Sequence, residues 1–188
     1  VHLGMSGSLR ITNGSTALKK HDHIDIVFDD GTVLRYHDPR RFGSVFWIPE
    51  GSSHELIDSL GPEPLSDGFN GRYLYELSRR RKLATKLFIM NSKVVVGVGN
   101  IYANEALHAA GIRPDRAAGR VSRDRYARLS QEIKDVLASA ISSGGTTLRD
   151  FVREDGTPGY FKQSLLVYGR GNEPCLSCGR GLREVRIG

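Results

Sequence analysis

The chain has 188 residues, 39% of them hydrophobic, enough to bury one sizeable core or two small ones. No stretch approaches the roughly 18 uninterrupted apolar residues of a membrane span, and no charged-then-apolar leader is visible, so neither a membrane protein nor a secretory signal is expected. A formal charge of +6 points weakly to a polyanionic partner, and two cysteines three apart suit a metal or redox pair in a reducing compartment rather than a disulfide framework.

Residues 1 to about 50 read as β structure. Ile24, Ile26 and Phe28 alternate with Asp25, Val27 and Asp29, the period of a half-buried strand. Asp30-Gly31 suits a tight hairpin turn, with residues 33–36 as the return strand and 43–48 as a further one. The sequence opens inside a strand, VHLGMSGSLRI, with no methionine, turn or cap before Val1; an N-terminal part is expected to be missing. Prolines, glycines and serines then crowd residues 49–70 around one short helical piece at 53–60, the pattern of a linker.

From Gly71 onward the pattern is helical. The clearest helix spans 123–143, where Tyr126, Leu129, Ile133, Leu137 and Ala140 form one apolar stripe, capped by Ser122 and stopped by Gly144-Gly145. After residue 146 the segment TTLRDFVREDGTPGYFKQ reads as a long loop, a feature of compact domains that is usually functional or disordered.

The stretch VVVGVGNIYANE, residues 94–105, carries the sharpest local signal. Gly97 and Gly99 permit tight turns, and Asn100 reads as the N-cap of a helix that closes at Gly111. Amides of a first helical turn, with the positive end of the helix dipole behind them, can hold a phosphate oxygen. A turn with no ligand is the plainer alternative. A dinucleotide fingerprint is excluded, because Tyr102 occupies the third glycine position and residues 85–90 read as helix, giving helix, two tight turns, helix. Basic runs flank this element: residues 72–93 hold seven Lys/Arg against one acid, and 113–128 hold six against two. Either run alone could be a solvated helix face; two beside an anion site favour nucleic acid.

The tail contains Cys175-x-x-Cys178-Gly179 behind Pro174, a knuckle whose two thiolates can form one edge of a tetrahedral zinc site. Zinc wants four ligands, so a second pair is expected beyond residue 188. A redox CxxC is the alternative.

HLGMSG (2–7), DPRRFG (38–43), GVGNIYANE (97–105) and VYGR with PCLSCG (167–179) together resemble the bacterial formamidopyrimidine-DNA glycosylases. The resemblance implies an α+β multidomain fold: part of a β-sandwich over 1–50, a linker over 51–70, a helix–two-turn–helix domain over 71–160 with a lesion-capping loop from about 146, and a truncated zinc-finger region over 161–188. It implies a base-excision DNA glycosylase with AP lyase activity that removes oxidised purines, such as 8-oxoguanine and formamidopyrimidines, from duplex DNA. The implied cofactor is one zinc ion in a four-cysteine site. The implied partner is double-stranded DNA holding an oxidised purine or an abasic site, bound by a monomer in the bacterial cytoplasm at the nucleoid.

Site residues follow from the same resemblance. An enzyme acting on a base within a duplex must extrude it and fill the gap, which calls for apolar or flat side chains at a loop tip beside cations. Met5, Arg40 and Phe42 match the void-filling triad, with Arg40 resembling the residue that pairs with the estranged cytosine. A buried strand methionine is the alternative for Met5. Phosphate contacts map to His21, Arg81 and Asn100, with Arg41 and Lys86 as lesser candidates, and Thr147, Arg149 and Tyr160 match the flap over the extruded base. Glu105 matches a glutamate read as structural support, and Cys175 and Cys178 are the metal ligands. The family's nucleophilic N-terminal proline and its neighbouring glutamate are not in this sequence, where Val1 and His2 stand first; its lysine before HLGMSG and its zinc-finger arginine are absent too. The chain alone is therefore expected to be catalytically inert, and a non-catalytic damaged-DNA-binding module is the competing reading.

Overall fold

The structure, a computed structural model, describes residues 1–4, 6–143 and 165–187. They fall into two compact units, 1–52, and 53–142 with 165–187.

The first unit is a three-stranded antiparallel sheet in the order β1-β3-β2, with β1 at Ser8–Asn13, β2 at Asp22–Val27 and β3 at Thr32–His37. The turn between β2 and β3 forms at Asp30-Gly31 as expected. Gly31 has φ +82°, the Phe28 amide donates to the Thr32 carbonyl at 2.9 Å, and the Asp30 carboxylate accepts from the Thr32 amide at 2.8 Å. As the central strand, β3 buries Val33, Arg35 and Tyr36. Arg35 is tolerated there because its guanidinium is fully engaged: two 2.8 Å bonds to the Asp25 carboxylate and further bonds to the carbonyls of Thr16 and Ala17.

Three expectations for this unit are corrected. Residues 43–48 form no strand, since their only β pairing is an isolated bridge between Ser44 and His2; β-rich composition makes no strand without a partner. The first strand begins at Ser8, not at Val1, with a turn between it and that bridge. Ile24, Ile26 and Phe28, the face expected to be buried, are exposed.

The second unit is helical: α1 at Glu55–Asp58, α2 at Gly71–Ser78, α3 at Thr85–Ile89, α4 at Asn100–Ala109 and α5 at Arg123–Ser142. The expected α5 stripe is buried at all five positions and packs against α2 and α4. Its Tyr126 ring meets Phe88 edge-on at 6.2 Å, while its buried hydroxyl donates to the Ala118 carbonyl at 2.9 Å. Gly61 and Phe69, inside the stretch read as a linker, are packed into this unit: the Gly61 amide donates to the Ser92 carbonyl at 2.8 Å, and Phe69 is fully buried. No helix among the described residues is long and apolar enough to cross a membrane.

Gly71 is where α2 and α5 come closest, since a Cβ there would lie 2.3 Å from the Ala127 Cα. Backbone cannot yield as a flexible side chain would. Gly71→Ala is expected to destabilise the helical unit by about 1–3 kcal/mol, read as a lowered melting temperature. Gly111→Ala, where no atom stands in the way but φ is +66°, should cost less.

Candidate nucleic-acid interface

In the sheet unit, the turn after β3 presents Arg40, Arg41 and Phe42 to solvent. The Arg40 guanidinium lies 4.8 Å from the centroid of the Phe42 ring, and Phe42 is 57% exposed. Arg41 takes a left-handed conformation, φ +56°, which tightens the turn. The 2–7 turn packs backbone-to-backbone on this tip: a Cβ on Gly4 would lie 2.6 Å from the Phe42 carbonyl carbon, and His2 and Ser44 exchange two 2.8 Å backbone bonds. Met5 itself lies outside the described residues; Gly4 and Ser6 on either side of it adjoin residues 38–43.

His21 is half-buried with φ +81°, and its ring packs edge-on against His37 and His23 at centroid distances of 6.1 and 6.4 Å. Burial, and after it the charges of Lys20, His37, His23 and Arg41, lower its pKa. His37 is tied to Asp22 at 2.7 Å and is not free for such a role.

In the helical unit, α3 and α4 form the expected helix–two-turn–helix, but with one correction at its mouth. Gly99 is the N-cap of α4, with extended φ and ψ, and Asn100 is the first helical residue. The first intrahelical bond runs from the Ala103 amide to the Gly99 carbonyl at 2.9 Å, so the Asn100 and Ile101 amides have no intrahelical acceptor. The start of α3 differs: the carbonyls of Arg116 and Pro114 accept from the Thr85 and Lys86 amides at 2.7 and 3.1 Å. A Cβ on Gly99 would project into open space, and Gly97 turns the chain with φ +74°. Asn104 donates to both the carbonyl and the Oδ1 of Asn100, fixing that side chain at the helix mouth.

Asn100, Asn104 and the half-buried Lys86 line one open cleft of about 870 Å³, together with Tyr168, Arg183 and Arg186. Burial lowers the Lys86 pKa. Arg81 does not line it. Its Nε donates to the Leu77 carbonyl at 2.8 Å, finishing α2, and its guanidinium lies 5.5 Å from the Phe88 ring centroid. Thr147, Arg149 and Tyr160 lie outside the described residues.

Glu105 is 3% exposed and accepts three backbone amides, from Leu166, Val167 and Tyr168 at 2.7–3.0 Å. It fastens this cleft-lining segment to α4. Beyond it, the knuckle folds through a 2.8 Å bond from the Gly179 amide to the Cys175 carbonyl, with Gly179 at φ +72°. Amides of Ser177 and Cys178 facing the Cys175 sulfur lower its pKa, which suits a thiolate ligand. Both thiols are free, and among the described residues no cluster of three or more potential metal ligands exists.

Residues 1–45 match the family profile of the formamidopyrimidine-DNA glycosylase N-terminal domain, and residues 60–152 that of the formamidopyrimidine-DNA glycosylase H2TH domain. A formamidopyrimidine-DNA glycosylase of Stutzerimonas stutzeri is 60% identical over all 188 residues, which span 70% of its length. The chain belongs to the formamidopyrimidine-DNA glycosylase family. Its fold is similar to that of the Thermus thermophilus MutM (Fpg) protein, with a TM-score of 0.86 at 34% identity over 99% of this chain and 69% of that one. It is similar also to the Lactococcus lactis Fpg bound to abasic-site DNA, with a TM-score of 0.84 at 28% identity over 100% of this chain and 69% of that one.

Family membership does not reveal what holds these elements in place. The buried Asp38 went unremarked in the sequence except as part of DPRRFG, although an Asp-Pro pair marks the start of a turn. For Glu105 the structural reading is met by three bonds. Glu105→Ala would leave three amides without an acceptor and is expected to cost about 2–3 kcal/mol in stability. Hydrogen exchange at residues 166–168 should accelerate far more than exchange within α5.

Proposed function

We propose that this chain is the DNA-gripping portion of a base-excision glycosylase with AP lyase activity, acting on oxidised purines in duplex DNA. The observation that carries the reading is the exposed Arg40–Phe42 pair at a turn tip. An aromatic ring left in solvent gains nothing for folding, whereas between base pairs it replaces the stacking lost when a nucleotide swings out. A guanidinium beside it can donate two hydrogen bonds to the edge of the orphaned base. Met5, on the adjoining turn, is assigned to the same gap.

Phosphate contacts anchor the duplex without reading its sequence. Asn100, with its backbone amide and side chain at the mouth of α4, is the principal one, supported by Lys86 in the same cleft. His21 and Arg41 serve the sheet unit in the same way. Arg81 is the weakest of the set, because one of its donors already serves α2. Thr147, Arg149 and Tyr160 are assigned to the loop over the extruded base. The relatives in the Lactococcus lactis complexes hold Fapy-dG and abasic-site DNA, and the proposed substrates of this chain are of that kind.

The lyase chemistry needs an amine, in the family an N-terminal proline, that attacks the sugar carbon, expels the base, and as an iminium drives elimination of the strand phosphates. No residue of this chain is assigned to that step, so the 188 residues by themselves bind DNA and do not cut it. Cys175 and Cys178 would hold one edge of a zinc ion whose role is to fold the knuckle; two further thiolates would complete it. The proposed setting is a monomer acting on DNA in the bacterial cytoplasm.

Asn100→Pro tests the phosphate clamp directly. Proline is favoured at the first helical position and Gly99 is already extended, so α4 should keep its stability while losing one amide donor. Affinity for any duplex should fall about 5–10-fold, and the slope of log affinity against log salt should shrink by up to about one. Unchanged affinity overturns the clamp. Borohydride reduction of the isolated chain on abasic DNA should trap no adduct, while the protein from its natural reading frame should be trapped and should carry one zinc. No adduct from the latter would favour the non-catalytic module, and thiol–disulfide activity without zinc would favour the redox reading.

A further inference from the structure

The tip of the sheet unit poses a problem: Arg40, Arg41 and Phe42 are exposed, so packing of their own side chains cannot fix where they point. We propose that the buried carboxylate of Asp38 is the positioning residue that sets the wedge, holding the Arg40–Phe42 tip and Ser6, the residue after Met5, in one fixed arrangement. The inference rests on the assignment of those residues to the gap in the duplex.

Asp38 is 1% exposed and spends both oxygens on the tip and its surroundings. Oδ1 accepts from the Ser6 hydroxyl at 2.8 Å and from the Arg40 amide at 3.3 Å. Oδ2 accepts from the Tyr36 hydroxyl at 3.0 Å and from the Gly43 amide at 2.9 Å. The main chain of the same residue continues the network. Its amide donates to the His21 carbonyl at 3.0 Å, and its carbonyl lies 2.9 Å from His23 Nε2. One residue thus joins three segments that the proposed function needs: Ser6 next to Met5, the 40–43 tip, and the bend at His21.

Strain points the same way. His21 and Arg41 are the described non-glycine residues of this unit with positive φ, and each is bonded into the Asp38 network, His21 through its carbonyl and Arg41 through the amides on either side of it. Unfavourable backbone persists only where surrounding bonds over-determine it. The amide of Gly43, and after burial is set against it the hydroxyls of Ser6 and Tyr36 and the amide of Arg40, keep the Asp38 carboxyl far below the usual carboxylate range. The tip is therefore held by a full charge throughout the pH range in which DNA is bound.

The geometry separates this role from a general structural one. Each carboxylate oxygen faces one backbone amide, which can only donate, and one hydroxyl, which can turn and accept. In Asp38→Asn the single remaining oxygen cannot serve both amides, and the side-chain NH2 must oppose one of them. The Arg40 bond is the longer, so the NH2 should settle there and release Arg40 while Gly43 stays bound. In the protein expressed from its natural reading frame, preference for cytosine over adenine opposite the lesion should fall about 5-fold, the worth of one buried hydrogen bond. Affinity for undamaged duplex should stay within about 2-fold, since phosphate contacts supply it. Ser6→Ala, a milder change, detaches only the turn beside Met5; it should reduce lesion unstacking, read by 2-aminopurine fluorescence, and leave the opposite-base preference alone.

Equal losses of selectivity, unstacking and undamaged-duplex affinity in both variants, or wild-type values of the first two, would overturn the proposal. An Asp38→Asn protein that fails to fold leaves Ser6→Ala to decide, and wild-type unstacking in that variant overturns it. Arg40→Ala is the control for the underlying assignment. If Arg40→Ala itself leaves the opposite-base preference intact, the wedge assignment fails, whatever Asp38 does.

Discussion

A side chain that must enter DNA has to be exposed, and an exposed side chain is not held by packing. Its direction then depends on the backbone beneath it. In the sheet unit that backbone is held by a carboxylate with four donors, two of them main-chain amides of the tip itself. Charge-assisted hydrogen bonds in a buried site are short, strong and directional, and they resist the competition with water that would loosen the same bonds at a surface. Phe42 can be 57% exposed because the residue before its turn is not.

The helical unit meets the corresponding requirement in a different way. An anion site needs amides that point outward and have no partner within the fold. At α3 the first amides are consumed by the carbonyls of Arg116 and Pro114; at α4 a glycine N-cap has no side chain to consume them. A serine or aspartate at that cap would stabilise the helix by accepting the same amides that a phosphate would use. The weaker cap keeps the donors available. Rigidity returns further along α4, where Glu105 accepts three amides of 166–168 and holds that segment alongside.

Much of this was legible in the sequence, for reasons that differ by element. The α5 stripe was legible because five buried positions share one helical period, and the β2–β3 turn because Asp-Gly satisfies a specific backbone need. The helix–two-turn–helix showed through its glycines, though the N-cap was placed one residue late; Asn100 is a good cap by type, and only the dihedrals assign that role to Gly99. The segment 43–48 failed because strand composition does not reveal whether a neighbouring edge exists. Asp38 and Glu105 were the hardest to value. Their partners are mostly backbone amides, which every sequence contains, so nothing in the letters separates a buried carboxylate hub from a solvated acid.

Counting charges in the basic runs misjudges them in a related way. Arg79 bonds to the carbonyls of Tyr75 and Val121, Arg81 to Leu77 and Arg116 to Arg120, while Arg72, Arg113 and Arg128 pair with Glu76, Asp115 and Glu132. The two kinds of partner have opposite consequences for a polyanion. A carboxylate cancels the charge locally. A carbonyl has no net charge to cancel it with, so an arginine spent on capping a helix or closing a turn keeps its full positive charge and loses only its freedom to move. Such a cation contributes to the long-range field felt by a polyanion, whereas in the proposed interface the geometry of contact is left to neutral, directional donors such as the amides at the mouth of α4. Attraction and alignment are then separate properties of the fold, carried by different residues, and a substitution can weaken either without touching the other.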